Sequence, residues 1–173
     1  MNETIKTLIE RRSVRSYNNK KVPKEAVEQI VLAGEYAPSG MGKQQSKIVV
    51  VENEKEVSLL SKLNAKVMGT DSDPFYGAKT VIVVFSNSES HTCVEDGSLI
   101  MGNLMNAAHS LGVCSCWIHR AKEVFEFEEG KKLKQKWGIP ESYVGIGHCI
   151  IGYTDDAIKQ AADRKSDYVV YSE

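Results

Sequence analysis

No stretch of the 173-residue sequence stays apolar for the roughly 20 residues that a membrane-spanning helix needs, and Met1 to Glu10 carries charge where a secretory leader needs its apolar run. An excess of one charge is missing as well: 22 lysines and arginines face 23 aspartates and glutamates, a net charge of −1. Without a bulk field to gather polyanions or anionic lipid, nucleic-acid and membrane-surface binding are disfavoured. Proline is scarce, and no Pro/Gly/Ser-rich linker, internal repeat or low-complexity tract divides the chain. One domain over residues 1–173 is expected. Cys93, Cys114, Cys116 and Cys149 are the only cysteines, and a chain of this size with 42% hydrophobic residues has a full core without disulfides. They read as reduced thiols in a cytoplasmic protein. No GxGxxG, GxxxxGK[ST], GxSxG or HExxH pattern occurs, since Gly145-Ile146-Gly147 lacks a third glycine, so a classical dinucleotide domain or hydrolase triad is not supported.

What is present is a regular alternation of helical and strand patterns. Ile5, Leu8 and Ile9 predict a short first helix ending near Arg12, and Pro23 opens a second with Val27, Ile30 and Val31 on one face. A loop at Ala37–Gly42 leads into Lys47–Glu52, a short β-branched strand. Asn53 with Glu56 has the form of a capping box and starts a helix through Leu59, Leu60, Leu63 and Val67. Thr80–Phe85 is apolar on both faces, so helices should cover both sides of the sheet. From Glu95 to Leu111 apolar residues wrap most of a helix, which predicts burial nearly all round by a large core or a second subunit. Cys114–Ile118 and Val144–Tyr153 read as strands, and Ala121–Trp137 as a charged helical region broken near Gly130. The apolar tetrad Tyr168–Tyr171 predicts a tail strand that docks, on a partner subunit as readily as at home.

Charge is uneven along the chain: Lys6, Arg11, Arg12, Arg15, Lys20, Lys21 and Lys24 outnumber Glu3, Glu10 and Glu25 at its start. Within this stretch, Arg11-Arg12-Ser13-Val14-Arg15 concentrates guanidinium forks and a hydroxyl within about one turn, the donors that grip phosphate oxygens. A solvated basic turn is the alternative. Ala37-Pro38-Ser39-Gly40-Met41-Gly42-Lys43-Gln44-Gln45 offers exposed backbone and amide side chains to a flat heteroaromatic ligand, though it also fits an ordinary loop. Cys114-Ser115-Cys116 invites a thiol or metal reading, yet no second Cys/His pair is spaced to complete a zinc site. Small buried hydrophobes are the default for these cysteines, and a structural role is the default for His109.

Taken together, these segments resemble the FMN-dependent nitroreductase family over nearly the whole chain. Glu10-Arg11-Arg12-Ser13-Val14-Arg15-Ser16-Tyr17 looks like that family's R-R-S-x-R phosphate motif. Ala37-Pro38-Ser39-Gly40-Met41-Gly42-Lys43-Gln44 is similar to its A-P-S-G-x-N-x-Q, with Gly42 at the asparagine position. Asp96 through Ile118 resembles its buried dimer helix and L-G-x-G-[ST]-x-W-[IL] turn, and Ile139-Pro140 through Tyr153 to Arg164-Lys165 its closing strand and late basic residue.

The resemblance implies an α+β fold in three α/β/α layers, with a mixed central sheet and the tail strand on the partner subunit. It implies FMN held by Arg11, Arg12, Ser13, Arg15, Pro38, Ser39, Gly40, Met41, Lys43, Gln44, Asn103, Cys114, Ser115, Cys116, Arg164 and Lys165 in a homodimer with its sites between the subunits. Cys114–Cys116 would act through main chain, Lys43 near the pyrimidine end of the ring. NADH or NADPH would be the electron donor and a nitroaromatic, a quinone or a similar electron-poor small molecule the acceptor, with no metal and no side-chain proton donor required. Residues 69–79 are the candidate lid. A flavin-binding or flavin-sensing protein of the same fold with little turnover is the alternative, and a thiol or metal-handling protein built on Cys114 and Cys116 a third.

Overall fold

The computed structural model describes residues 1–172. Helices α1 (Glu3–Glu10) and α2 (Lys24–Glu35) precede a 3-10 turn (Gly40–Gly42) and strand β1 (Ser46–Val51). Then come α3 (Glu54–Met68), β2 (Thr80–Asn87), α4 (Cys93–Ser110), β3 (Cys114–Ile118), α5 (Ala121–Val124), α6 (Glu128–Lys136) and β4 (Tyr143–Gly152).

The strands form one sheet in the order β1-β2-β4-β3. All three ladders are antiparallel, and the β2–β4 register slips between Val84 and Phe85. The sheet's one parallel pairing among the described residues is the isolated bridge of Ser13 with Ser115 at the β3 edge.

β2 explains the three layers. Alternate residues point to opposite faces of a strand, and every residue from Thr80 to Ser86 is buried. Val81, Val83 and Phe85 pack with Val57, Leu60 and Leu63 of α3, Val124 of α5 and Leu133 of α6. Ile82 and Val84 pack with Val27 and Ile30 of α2 and Ile100, Met101 and Leu104 of α4. α2 and α4 cross closely at Gly34, where an added Cβ would lie 2.8 Å from Leu104 Cδ2.

Four local expectations need amendment. Asn53 does cap α3, its Oδ1 accepting from the amides of Lys55 (3.1 Å) and Glu56 (3.3 Å). Glu56 does not return the bond, because its carboxylate is taken by Lys136 Nζ (2.6 Å) and Trp137 Nε1 (3.3 Å), tying α6 to α3. The helical region 121–137 breaks at Phe125–Phe127 rather than at Gly130. Gly130 lies inside α6, where a Cβ would meet the Val124 carbonyl oxygen at 2.1 Å, so the glycine lets α6 pack on the end of α5.

α4 is not covered all round by its own chain: Cys93, Gly97, Ile100, Met101, Leu104 and Ala108 are buried, while Val94 and Leu99 are exposed. Neighbouring α1 buries nothing, leaving Ile5, Leu8 and Ile9 open to solvent. Tyr168–Tyr171 form no strand and are exposed, and the outer edge of β1 is left without a neighbouring strand among the described residues.

Candidate functional site

Two clusters of the candidate residues form, one at each end of α4. The first gathers where α1 stops. The chain turns out of the helix at Arg11, whose amide donates to Thr7 O (3.0 Å), and runs along the β3 edge, Val14 N donating to Ser115 O at 3.1 Å. Tyr17 fixes the exit: its hydroxyl donates to Val14 O (2.9 Å), and its ring occupies the space Gly152 leaves open. Arg11, Arg12, Ser13 and Arg15 are thereby brought beside Cys114-Ser115-Cys116.

This cradle holds donors with nothing to donate to. Arg11 Nη1, Arg12 Nε and the Ser115 hydroxyl are all buried without a hydrogen-bond partner. An unmet buried donor costs about 1–3 kcal/mol, more when charged, so three within one turn and its neighbouring strand mark a place for an acceptor-rich group. The Arg12 fork is partly committed, since it donates to the carbonyls of Ile9 and Arg11 and caps the end of α1.

The cysteines here are not poised nucleophiles. Burial pushes the Cys116 thiol up, against the lowering effects of Arg15, the Ser13 hydroxyl and Arg11, and burial likewise raises Cys114. Cys149 behind them is pushed up to about 12 by burial and the neighbouring Cys116. Thiols held protonated at neutral pH are weak nucleophiles and weak metal ligands. Among the described residues, no three His, Cys, Asp or Glu side chains converge as a metal-binding group.

The second cluster is the loop Pro38–Gln44 at the start of α4. Gly40 N donates to Asp96 Oδ1 (2.9 Å), Gly42 N to Ser39 O (2.9 Å) and Gln44 N to Ser39 Oγ (3.0 Å). The turn forces left-handed backbone on Met41 (φ 53°), Gly42 (φ 66°) and Gln44 (φ 52°). Two of the four non-glycine residues in that region therefore fall within one loop, and strain of this kind concentrates at binding sites. Met41, Lys43 and Gln44 point to solvent. Beside them opens a cavity of about 720 Å³ lined by Tyr36, Pro38, Ser39, Gln44, Ile48 and Asp96 among others.

α4 keeps the clusters apart. Gly40 hangs on Asp96 in its first turn, whereas Cys114–Cys116 follow its last, and Asp96 to Ser110 alone spans about 21 Å at 1.5 Å per residue.

Three candidates join neither cluster. Asn103 donates its amide to Ala33 O (2.8 Å) and binds α4 to α2. Arg164 and Lys165 lie in the exposed tail that follows β4, with no hydrogen bond or ion pair to the cradle among the described residues.

The expected lid is tied down. Asp73 accepts from Ser61 Oγ and from the amides of Phe75 (2.9 Å) and Gly77 (2.7 Å), while Pro74, Phe75 and Ala78 are buried. It contributes a rigid edge to the first cluster, Tyr76 O accepting from Tyr17 N at 3.2 Å. Thr92 and Asp96, which organise the second cluster, carry no role in the sequence reading. The available signal was an acid among the apolar positions of α4.

Comparison with known proteins follows the same lines. The model of the Nitroreductase family matches residues 8–153. A protein of Archaeoglobus fulgidus, provisionally named NADH dehydrogenase/NAD(P)H nitroreductase, is 29% identical over 160 residues, covering 90% of this chain and 88% of that one. The FMN reductase [NAD(P)H] of Bacillus subtilis is 34% identical over 76 residues, 44% of this chain and 30% of that protein. The crystal structure of a Bacteroides fragilis nitroreductase with bound FMN superposes with a TM-score of 0.91 at 26% identity, covering all of both chains.

Proposed function

The chain belongs to the nitroreductase family, and from that premise we propose that it is a cytoplasmic, FMN-dependent NAD(P)H oxidoreductase that reduces electron-poor small molecules such as nitroaromatics or quinones. The observation that carries the reading is the set of buried, unpaired donors Arg11 Nη1, Arg12 Nε and Ser115 Oγ. A ribityl phosphate brings the oxygens they lack, and Ser13 and Arg15 lie beside them with side chains free for the same anion. The relatives' names, which couple NAD(P)H with nitroreductase and FMN reductase activity, support the donor and the cofactor.

Bound FMN supplies hydride relay between a nicotinamide and an electron-poor acceptor, and the protein supplies position and electrostatics. The cradle would hold the phosphate, main chain of Cys114–Cys116 would contact the flavin, and the Pro38–Gln44 loop would receive the ring, with Lys43 offering positive charge. No side chain is assigned as a proton donor; water serves.

The length of α4 supports a two-chain site, in which the loop of one protomer would meet the cradle of its partner. The uncovered apolar faces of α1 and α4 supply surface for such a homodimer. The tail Tyr168–Tyr171, which forms no strand on its own chain, would gain a strand partner in the same way and bring Arg164 and Lys165 with it, the domain as a whole spanning residues 1–173.

The test is optical: the purified protein should be yellow, or become so with added FMN, and bleach with NADH or NADPH without oxygen. A preparation that takes up no FMN refutes the reading, whereas bound FMN with no nicotinamide oxidation across a panel of acceptors favours a flavin-binding or flavin-sensing role.

A further inference from the structure

Asp96 is an acid buried to 3% exposure in the first turn of α4, and among the described residues no lysine or arginine pairs with it. Its carboxylate is instead shared between a loop and a helix start: Oδ1 accepts from the Gly40 amide at 2.9 Å, and Oδ2 from the Thr92 hydroxyl at 3.1 Å.

The loop is pressed hard onto this clamp. A Cβ on Gly40 would lie 2.2 Å from Thr92 Oγ1, so only glycine brings the main chain close enough for its amide to reach Asp96. Directly after that anchor come the left-handed residues Met41, Gly42 and Gln44. Their side chains do not anchor them, because Met41, Lys43 and Gln44 are exposed; the loop's other ties are its own turn bonds and Asn87 N on Gln45 O (2.9 Å). A strained turn persists only where its surroundings over-determine it, and here the Asp96–Gly40 bond, with Ser39 Oγ on Gln44 N (3.0 Å), supplies that constraint.

We infer that Asp96 is a positioning residue for flavin: acting through Gly40, with Thr92 orienting its carboxylate, it fixes the main chain of Ser39–Gln44 in the form against which the isoalloxazine ring rests. This rests on the FMN reading above. Asp96 touches neither ring nor phosphate; it sets the loop before the cofactor arrives. Its loss therefore acts on ring placement and leaves the Arg11–Arg15 cradle intact.

The experiment uses the full-length protein with and without FMN, in three variants: Asp96→Ala, Asp96→Asn and Thr92→Val. In Asp96→Ala, amide exchange at Gly40 in the apoprotein should speed up. FMN affinity should fall roughly tenfold, about the worth of one charge-assisted hydrogen bond. The visible flavin bands should shift, and kcat should drop more than KM for the nicotinamide changes. Asp96→Asn should restore most of each property, because the amide oxygen still accepts from Gly40 and the Thr92 hydroxyl can turn to accept from the new NH2 group. Thr92→Val, which keeps shape and removes only the hydroxyl, should change each readout in the same direction by a smaller factor, and it carries the test if Asp96→Ala does not fold.

The inference is overturned if the folded variants match wild type in Gly40 exchange, flavin spectrum and FMN affinity, or if Asp96→Asn is as impaired as Asp96→Ala. Those outcomes leave the flavoprotein reading standing. A wild-type protein that binds no FMN would instead remove that reading itself.

Discussion

Acidifying the protein from neutrality through pH 6.5 towards 4 should remove stability through one side chain, His148. It is fully buried in β4, its ring against Phe75 (centroids 5.3 Å apart) and stacked near Phe125 (6.0 Å). Neither ring nitrogen has a hydrogen-bond partner of good geometry. Burial holds the imidazole down to about 4 from 6.5, helped by the positive charge of Arg120, against the carbonyls of Ile118 and His119, which favour the proton but only partly offset it. The folded state thus keeps His148 neutral while the unfolded chain takes a proton as pH falls through 6.5. Between these values the unfolded state binds more protons, so stability falls with pH, and above 6.5 this residue has no effect. At about 1.4 kcal/mol per pH unit, the full loss comes to about 3 kcal/mol, with about 2 kcal/mol gone by pH 5. The assay is urea unfolding of the apoprotein across this window, wild type against His148→Leu. Leucine is similar in volume, has no charge to acquire and leaves no nitrogen unpaired. The variant should match or exceed wild type at neutral pH and lose most of the slope between pH 6.5 and 5, carboxylates supplying what remains at the acid end. Equal slopes in the two proteins, or wild-type stability that rises on acidification, would refute the reasoning.

Two further predictions concern the cradle and the loop. Arg11→Ala with Arg15→Ala should weaken FMN binding by at least about tenfold while leaving apoprotein melting nearly unchanged, because Arg11 Nη1 has no hydrogen-bond partner and Arg15 is exposed; calorimetry with and without FMN checks it, and equal loss in both states contradicts it. Arg12→Ala should differ by lowering apoprotein stability as well, by about 1 kcal/mol, since that guanidinium caps the carbonyls of Ile9 and Arg11. Gly42→Asn should be tolerated and Gly42→Val should cost about 1–2 kcal/mol, because φ is +66° in open space and asparagine accepts left-handed backbone where a β-branched residue does not; paired melting curves decide it.

The Gly42 position shows how sequence and structure inform each other. Against the family's asparagine, glycine reads as a lost side-chain contact. The backbone supplies another common property, since glycine and asparagine are the residues most at ease at positive φ. The side chain is lost, but the left-handed conformation at this position is one that either residue adopts readily. Elements whose causes are local were legible in the same way: the all-apolar Thr80–Phe85 run gives a doubly covered strand, Asn53 caps α3, and Gly69 closes it in the left-handed conformation at φ 68°. The break near Gly130 was misplaced because its cause is not local. That glycine answers to a carbonyl of α5, which no periodicity within α6 encodes.

The site divides along the same line. Arg11–Arg15 and Pro38–Gln44 stood out in the sequence as a donor-rich turn and a glycine-bearing loop, each with an ordinary alternative, and the phosphate and ring roles proposed for them come from the family resemblance. Their arrangement depends on pairings between distant segments: Val14 with Ser115, Gly40 with Asp96, Tyr17 with Tyr76. Each joins main chain to a partner whose identity leaves little trace in a local pattern. Only once those pairings are drawn does α4 emerge as the spacer that separates the clusters. On the two-chain site proposed above, a ligand that needs both ends draws them from two copies, and cofactor affinity and dimer stability would be one linked quantity: whatever loosens the pairing of α1 and α4 faces should loosen FMN without touching a single residue of its cradle.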